Sequence, residues 1–146
     1  MLQRYEKTIA INASATTVWR VLTEPELMQQ WAGEPDMHLE IITNWEVGSP
    51  FIIKGYHHAV FENKGLVLQI DAPKRIQYSH LSSLSQLSDD ITNYSIHEFV
   101  LMPQAEGVTL TLSIHNFPTE TIYKHLEFYW NTTLAIVKRV AEKLEV

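Results

Sequence analysis

Histidine is the residue type that could bring most chemistry to this chain, because imidazole binds metal ions and exchanges protons near neutral pH. The histidines are His38, His57, His58, His80, His97, His115 and His125. His57 and His58 are adjacent on a predicted strand, so their side chains should point to opposite faces and cannot bind one ion together. The sequence also lacks the H-E-x-x-H and H-x-H spacings of metal sites. We therefore expect no metal and no cofactor.

Two side chains on one predicted strand, Tyr78 and His80, are candidates for general acid–base chemistry. Residues two apart on a strand share a face, although parity leaves open which face of the sheet that is. His97 and Glu98 are further candidates, but adjacent residues cannot both point inward. Glu98 is therefore expected to be a solvated partner of a nearby basic residue. Nucleophilic catalysis is not indicated, because the chain has no cysteine and no G-x-S-x-G motif.

The composition predicts one globular domain over residues 1–146. Apolar residues make up 45% of the chain and charged residues 19%, as in proteins with an ordinary core. The formal net charge of −6 opposes binding to the phosphates of nucleic acids. The first residues lack the apolar stretch of a signal peptide, and no segment approaches the roughly 20 apolar residues of a membrane span. We therefore expect a cytoplasmic protein with no nucleic-acid partner.

The elements that would position these side chains follow from turn residues and hydrophobic spacing. A strand is predicted over residues 5–11, then a helix capped by Ser14 and a short helix from Glu26 to Trp31. Alternating apolar residues over 37–117 predict an antiparallel meander, with a hairpin turn at 61–65 and a solvated loop at 82–93. Its predicted strands are residues 39–45, 51–57, 66–70, 76–80, 94–102 and 108–115.

The last segment, from Thr119 to about Leu144, has helical periodicity with one continuous apolar face. At 1.5 Å per residue this helix would be roughly 37 Å long, about the width of the domain. We predict an α+β fold in which a curved antiparallel sheet of about six to seven strands wraps around this helix. The two short helices would lie between the first two strands.

Four motifs in this order resemble the helix-grip fold of the START/SRPBCC (birch-pollen-allergen-like) superfamily. Within it, the chain resembles the family named for activators of the heat-shock-protein-90 ATPase. The motifs are INASATTVWRVLTEPELMQQW, NWEVGSPF, GLVLQIDAPKRIQYSH and GVTLTLSIHNF, the last followed by a helix that contains a tryptophan. Two departures stand out, since Ser49 and Tyr129 occupy positions where the family often has glycine. The Tyr129 ring is expected to reduce or reshape any cavity.

The resemblance implies a cavity between the long helix and the sheet. Its aromatic residues and histidines would suit a planar or lipid-like guest with a polar end, although the same side chains could simply fill a core. The candidate ligand-binding residues are Trp31, Trp45, Phe51, Ile53, His57, Val67, Tyr78, His80, His97, Phe99, Leu112, Ile114, Leu126, Trp130, Thr133 and Val137.

Three functions follow as hypotheses. The preferred one is a domain that binds a hydrophobic or aromatic small molecule. The second is a cyclase- or hydrolase-like enzyme that uses a His/Tyr general acid–base pair in the same cavity. The third is a chaperone-associated protein-interaction module, or a homodimer, for which an exposed apolar patch is sought at the 82–93 loop and at Met37–His38. The basic pair Lys74-Arg75 is interpreted as a solvated corner rather than a docking site.

Overall fold

The computed structural model describes residues 3–145 and consists of seven strands and three α-helices over those residues. The elements in chain order are β1 (Arg4–Ile11), α1 (Ala15–Thr23), α2 (Pro25–Met28), β2 (Glu40–Ile42), β3 (Pro50–Tyr56), β4 (Val60–Asp71), β5 (Arg75–Ser82), β6 (Ser95–Pro103), β7 (Val108–His115) and α3 (Glu120–Glu145). Short 3-10 turns occur at Pro35–Met37, Ser83–Ser85 and Ile91–Asn93. The strands form one antiparallel sheet in the order β1-β7-β6-β5-β4-β3-β2. The predicted α+β fold is confirmed.

Helix α1 begins at the predicted cap, where the Ser14 side chain accepts a hydrogen bond from the Thr17 backbone N–H at 3.1 Å. It buries Val18, Val21 and Leu22, which recur at helical spacing. Pro25 then starts α2, which ends at Met28 rather than at the predicted Trp31. Residues after Met28 continue as turns. The two short helices lie between β1 and β2, as expected.

The hairpin between β3 and β4 differs from the prediction. The turn lies at His57–Ala59, where the His57 backbone N–H donates to the Ala59 carbonyl at 2.9 Å and His58 has φ 63°. The predicted turn residues 61–65 instead lie inside β4 and pair with β3, since Phe61 is opposite Gly55 and Gly65 is opposite Phe51. His57 and His58 are therefore turn residues, and the prediction that they lie on a strand is wrong.

Gly65 explains why a turn-like stretch forms a strand. A Cβ at this position would lie 1.7 Å from the Ser79 carbonyl oxygen of the neighbouring strand β5. Glycine is present because two backbones approach closely, not because the chain reverses there. The Ser79 hydroxyl accepts a hydrogen bond from the Leu66 backbone N–H at 2.9 Å, which stabilises this irregular part of the β4–β5 ladder.

Helix α3 packs along the concave side of the sheet through the predicted face. Its buried residues are Leu126, Trp130, Thr133, Leu134, Val137 and Ala141. The C-terminal end of α3 is tied to the start of α1: the Glu145 carboxylate accepts from the Ser14 backbone N–H at 3.1 Å and from the Thr17 hydroxyl at 2.5 Å. The Glu142 carboxylate accepts from the Asn12 backbone N–H at 2.7 Å. One end of α3 is thereby anchored.

The corner that carries Lys74 and Arg75 lies outside the sheet's concave side. Arg75 donates from Nε to the Glu98 carboxylate at 2.8 Å, and Lys74 is exposed. Glu98 is the predicted partner of a basic residue, and this pairing is confirmed. None of the helices over residues 3–145 is long and apolar enough to cross a membrane.

Candidate ligand-binding core

Strand β5 places Tyr78 and His80 on the concave face of the sheet, towards α3. In the antiparallel ladder Tyr78 lies opposite His97 of β6, and Ile76 lies opposite Phe99. Ile76, Tyr78, His97 and Phe99 are all buried. Strand parity could not say which face of the sheet Tyr78 and His80 share. The structure shows that it is the face that packs against the long helix.

The rings on this face form one contiguous cluster, which we call the aromatic core: Trp31, Trp45, Phe51, Tyr78, His80, His97, Phe99 and Trp130. Tyr78 is stacked on His97 with centroids 5.1 Å apart and an interplanar angle of 15°. Phe51 packs edge-on against Tyr78 at 4.5 Å. From α3, Trp130 contacts His97 at 6.0 Å and Phe99 at 5.5 Å, both edge to face. Trp31, which follows α2, closes the cluster at 5.9 Å from Trp130.

Most of the candidate binding residues converge on this region. The buried ones are Trp31, Phe51, Val67, Tyr78, His97, Phe99, Leu112, Ile114, Leu126, Trp130, Thr133 and Val137. Trp45, Ile53 and His80 are half-buried. His57 is exposed in the β3–β4 turn and lies outside the cluster, because β3 ends one residue before it.

Some nitrogens of the aromatic core have hydrogen-bond partners and others have none among the described residues. Trp31 Nε1 donates to the Val21 carbonyl at 2.8 Å, and Trp45 Nε1 donates to the Thr23 carbonyl at 2.7 Å. In contrast, Trp130 Nε1 and His97 Nδ1 are buried and have no hydrogen-bond partner among residues 3–145. A buried polar atom without a partner typically costs about 1–3 kcal/mol. The two unpaired nitrogens belong to rings that contact each other, so the unsatisfied hydrogen bonding is concentrated at one place in the core.

The titratable groups of this region are held in their neutral forms. Burial, and after it the charge of His125, lowers the pKa of His80 to about 4. Burial, followed by the nearby His80, lowers the pKa of His97 well below its ordinary value. Burial raises the pKa of the Tyr78 hydroxyl, with a smaller contribution from Tyr129. At neutral pH the aromatic core is therefore uncharged.

Tyr129 closes one side of the core and was absent from the candidate set. Its hydroxyl donates to the Ala32 carbonyl at 2.6 Å, and its ring lies edge-on to Trp130 at 5.0 Å. Burial raises the pKa of this hydroxyl to about 12. The sequence signal was its place beside Trp130 on α3, where it borders the apolar face. Tyr129 thus fills space between α3 and the segment after α2, while its expected effect on a cavity stays a prediction.

Two surface depressions lie away from the aromatic core. One, of about 400 Å³, is lined at the α1–α3 contact by residues that include Asn12, Ser14 and Glu145. The other, of about 240 Å³, lies on the opposite face of the sheet and is lined by Arg4, Arg75, Gln77, Glu98, Ser113 and His115. Neither depression is lined by a residue of the aromatic core, so the expected cavity between α3 and the sheet stays a prediction.

The predicted interaction segment at residues 82–93 exposes two large apolar side chains. Leu84 is 51% exposed and Ile91 is 85% exposed, on the two short 3-10 turns between β5 and β6. Asn116 anchors the end of this segment by donating to the Tyr94 carbonyl at 2.7 Å. The segment is thus held by hydrogen bonds to the body of the fold.

A curved antiparallel sheet that grips a long helix across an aromatic core defines a helix-grip protein of the START/SRPBCC type. The chain belongs to the family described as activator of Hsp90 ATPase homolog 1-like protein, whose model matches residues 12–142. The resemblance stated from the motifs is therefore confirmed. A comparison with curated protein sequences found no match.

Solved structures share this fold over nearly the whole chain. The solution structure of ChR145 from Cytophaga hutchinsonii is 30% identical, with a TM-score of 0.80, over 97% of this chain and 94% of that chain. The crystal structure of CV1439 from Chromobacterium violaceum is 17% identical, with a TM-score of 0.80 and coverage of 95% and 97%. NE0264 from Nitrosomonas europaea is 21% identical, with a TM-score of 0.76 and coverage of 96% and 94%. The latter two likenesses concern the fold alone.

Proposed function

We propose that this protein binds a small, largely apolar molecule between α3 and the concave face of the sheet, at the aromatic core. The observation that carries the proposal is the pair of buried nitrogens, Trp130 Nε1 and His97 Nδ1, that lack partners among the described residues. A core selected for stability alone would have paired them or replaced them with apolar groups, since each orphan atom is destabilising. A binding site retains such atoms because its ligand satisfies them.

The surroundings of these atoms have the character of a ligand site. Pockets for small molecules are mostly apolar and aromatic, with a few polar groups that orient the guest. Here stacked and edge-on rings from β3, β5, β6 and α3 surround the two nitrogens. Trp45, Ile53 and His80 keep contact with solvent at the border of the core. They lie on or beside β3 and β5, which is where a ligand would enter by displacing side chains.

Binding is favoured over acid–base catalysis by the protonation states of the same residues. A general base works best when its pKa lies near the working pH. His80, with its pKa lowered to about 4, is a weak base at neutral pH. The hydroxyl of Tyr78, with its pKa raised by burial, is a weak acid. Groups of this kind orient a ligand through hydrogen bonds rather than exchange protons with it.

The proposal is tested with the purified protein and a panel of uncharged aromatic and aliphatic probes. Thermal shift and native mass spectrometry report binding, and the indole N–H signals in a ¹H–¹⁵N spectrum report where it occurs. We expect at least one probe to bind with one-to-one stoichiometry and to shift the Trp31 and Trp130 signals. The variant Trp130→Ala should abolish binding, whereas Phe128→Ala, which changes an exposed residue two positions earlier on α3, should not. Failure of every probe, or binding that leaves both indole signals unchanged, would overturn the proposal.

A further inference from the structure

The tryptophans around the aromatic core differ in one respect that concerns ligand chemistry. Trp31 and Trp45 both donate their indole N–H to backbone carbonyls of α1, at Val21 and Thr23. Trp130 is also buried, at 3% exposure, but its N–H has no acceptor among residues 3–145. The indole N–H can only donate. What is missing beside Trp130 is therefore a hydrogen-bond acceptor.

His97 carries the second unpaired nitrogen, which can donate or accept a hydrogen bond. Its ring is 1% exposed, stacks on Tyr78 and contacts Trp130, and its Nδ1 is unpaired. A neutral imidazole carries one N–H and one lone pair, so it can donate to a carbonyl or accept from a hydroxyl. Both unpaired nitrogens thus fit a ligand group that contains a polarised oxygen.

We infer that the ligand is an uncharged aromatic molecule with a carbonyl or similar acceptor oxygen, which Trp130 Nε1 and His97 recognise together. The inference rests on the proposed function and deepens it, since it names the class of molecule that the site selects. Trp130 and His97 are then specificity-determining residues. An aromatic guest would take the place of the ring contacts that Tyr78, Phe51 and Trp31 now make with their neighbours in the core.

The charge of the ligand follows from the side chains that would surround it. No lysine or arginine is buried among residues 3–145, and His80 and His97 are neutral at physiological pH because burial lowers the pKa of each. A carboxylate placed there would lose its water shell without gaining a counter-charge, which is strongly unfavourable. Fatty acids and other anionic lipids are therefore disfavoured relative to ketones, quinones and amides of similar size.

The test uses two matched pairs of probes. Fluorenone and fluorene have the same planar ring system and differ by a carbonyl in place of a methylene. We expect fluorenone to bind about tenfold more tightly, the size of a well-placed hydrogen bond. Fluorenone-2-carboxylate and its amide differ mainly in charge, and the amide should bind at least about tenfold more tightly. Dissociation constants come from isothermal titration or tryptophan fluorescence.

Variants assign the preference to the two nitrogens. Trp130→Phe and His97→Phe keep an aromatic ring but remove the hydrogen-bonding group, and each should reduce the fluorenone preference to less than about threefold. Phe128→Leu is the control, because this side chain is 77% exposed on α3 and lies outside the aromatic core, and it should leave the preference unchanged. Should a core variant fail to fold, the wild-type spectrum decides: fluorenone should move the Trp130 indole N–H signal downfield more than fluorene does.

If neither member of either pair binds, the proposed function fails and the inference falls with it. If both members of the first pair bind equally, the site binds apolar molecules without carbonyl recognition. If the preference survives in both variants and the Trp130 signal does not respond, other groups recognise the carbonyl. In either case no ligand oxygen is the partner of the two nitrogens, and the inference would be wrong.

Discussion

Trp130 of α3 and His97 of β6 lie edge to face with ring centroids 6.0 Å apart, and each carries a buried nitrogen without a partner among residues 3–145. The helix and the sheet therefore meet through a contact that is well packed but not satisfied in its hydrogen bonding. Elsewhere in the same core, equivalent indole nitrogens are paired. The two unpaired nitrogens make this contact locally destabilising, which is a common feature of functional sites.

Stability should fall as the pH is lowered from 7 to 5, because histidines of the core resist protonation. The pKa of His80 is lowered to about 4 from its ordinary value of 6.5, so below pH 6.5 the unfolded chain binds a proton that the native protein does not. By linkage this costs about 2 kcal/mol between pH 7 and pH 5, and His97 acts in the same direction because its pKa is also lowered. Urea unfolding at several pH values measures the slope. His80→Gln should flatten it, and an unchanged slope would contradict the lowered pKa.

The contact between the end of α3 and the start of α1 should behave as one cooperative unit. Glu145→Gln removes the carboxylate that accepts from Ser14 and Thr17, and it should lower the urea midpoint. Ser14→Ala removes the helix cap and should cost about 1 kcal/mol. A double-mutant cycle is expected to give less than the sum of the two effects, because both changes disrupt the same network. Glu106→Gln, at an exposed loop position, is the control, and full additivity would show that the groups act independently.

The same contact should weaken in acid. Hydrogen bonds from Thr17 and Ser14 lower the pKa of Glu145, and the Lys138 ammonium, followed by the Asn12 backbone, lowers the pKa of Glu142. Each carboxylate stabilises the fold above its unfolded pKa of about 4.5, and this contribution is lost as the pH falls through the lower folded value. The protection factors of the α1 amides, which correct for the slower intrinsic exchange in acid, should therefore decrease as the pH is lowered below 4.5. Exchange in Glu145→Gln should show a smaller change over the same range.

Gly65→Ala should be among the most damaging small substitutions in the chain. The added methyl group would lie 1.7 Å from the Ser79 carbonyl oxygen, so β4 and β5 would have to separate. We expect a loss of more than about 3 kcal/mol, or failure to fold. In the matched change Gly33→Ala, the nearest atom is the flexible Met37 Sδ, and the cost should be much smaller. Equal melting temperatures for the two variants would refute this account.

Tyr129 should control both stability and the space available in the core. Tyr129→Phe removes the hydrogen bond to the Ala32 carbonyl and should cost about 1 kcal/mol by urea unfolding. Tyr129→Gly restores the residue type that the family often carries there, and it should lower stability further while it enlarges the site. If the binding proposal holds, bulky aromatic probes should bind more tightly to Tyr129→Gly than to the wild type. Tighter binding to Tyr129→Phe as well would argue that the hydroxyl, not the ring, limits access.

Hydrophobic periodicity correctly predicted the strands and helix faces that depend on residues close together in the sequence. The strand Val108–His115 and the apolar face of α3 follow from periods of two and of about 3.6 residues, and the structure has them as predicted. Tyr78 and His80 share a face because strand geometry requires it. The side of the sheet to which they point depends on where α3 packs, and that is a property of the tertiary fold.

The errors arose where tertiary contacts outweigh local preference. The stretch Asn63-Lys64-Gly65 has the residue types of a turn, yet it is held in β4 by pairing with strands on both sides. His57 follows the alternation of β3 but lies beyond its end. The difference between Trp130 and the paired tryptophans depends on carbonyls of α1 that are 10 and 22 residues distant from Trp31 and Trp45, and no local pattern contains that information.

The strand order has a consequence for biosynthesis. Strand β1 is at an edge of the sheet and pairs with β7, so its hydrogen-bonding partner is synthesised more than 90 residues after it. Pairing of this kind is slow, and it exposes strand edges until the partner arrives. Translation of β7 must therefore be complete before β1 can pair with it. The newly made chain is most vulnerable to aggregation and proteolysis during that interval, whatever the stability of the completed fold.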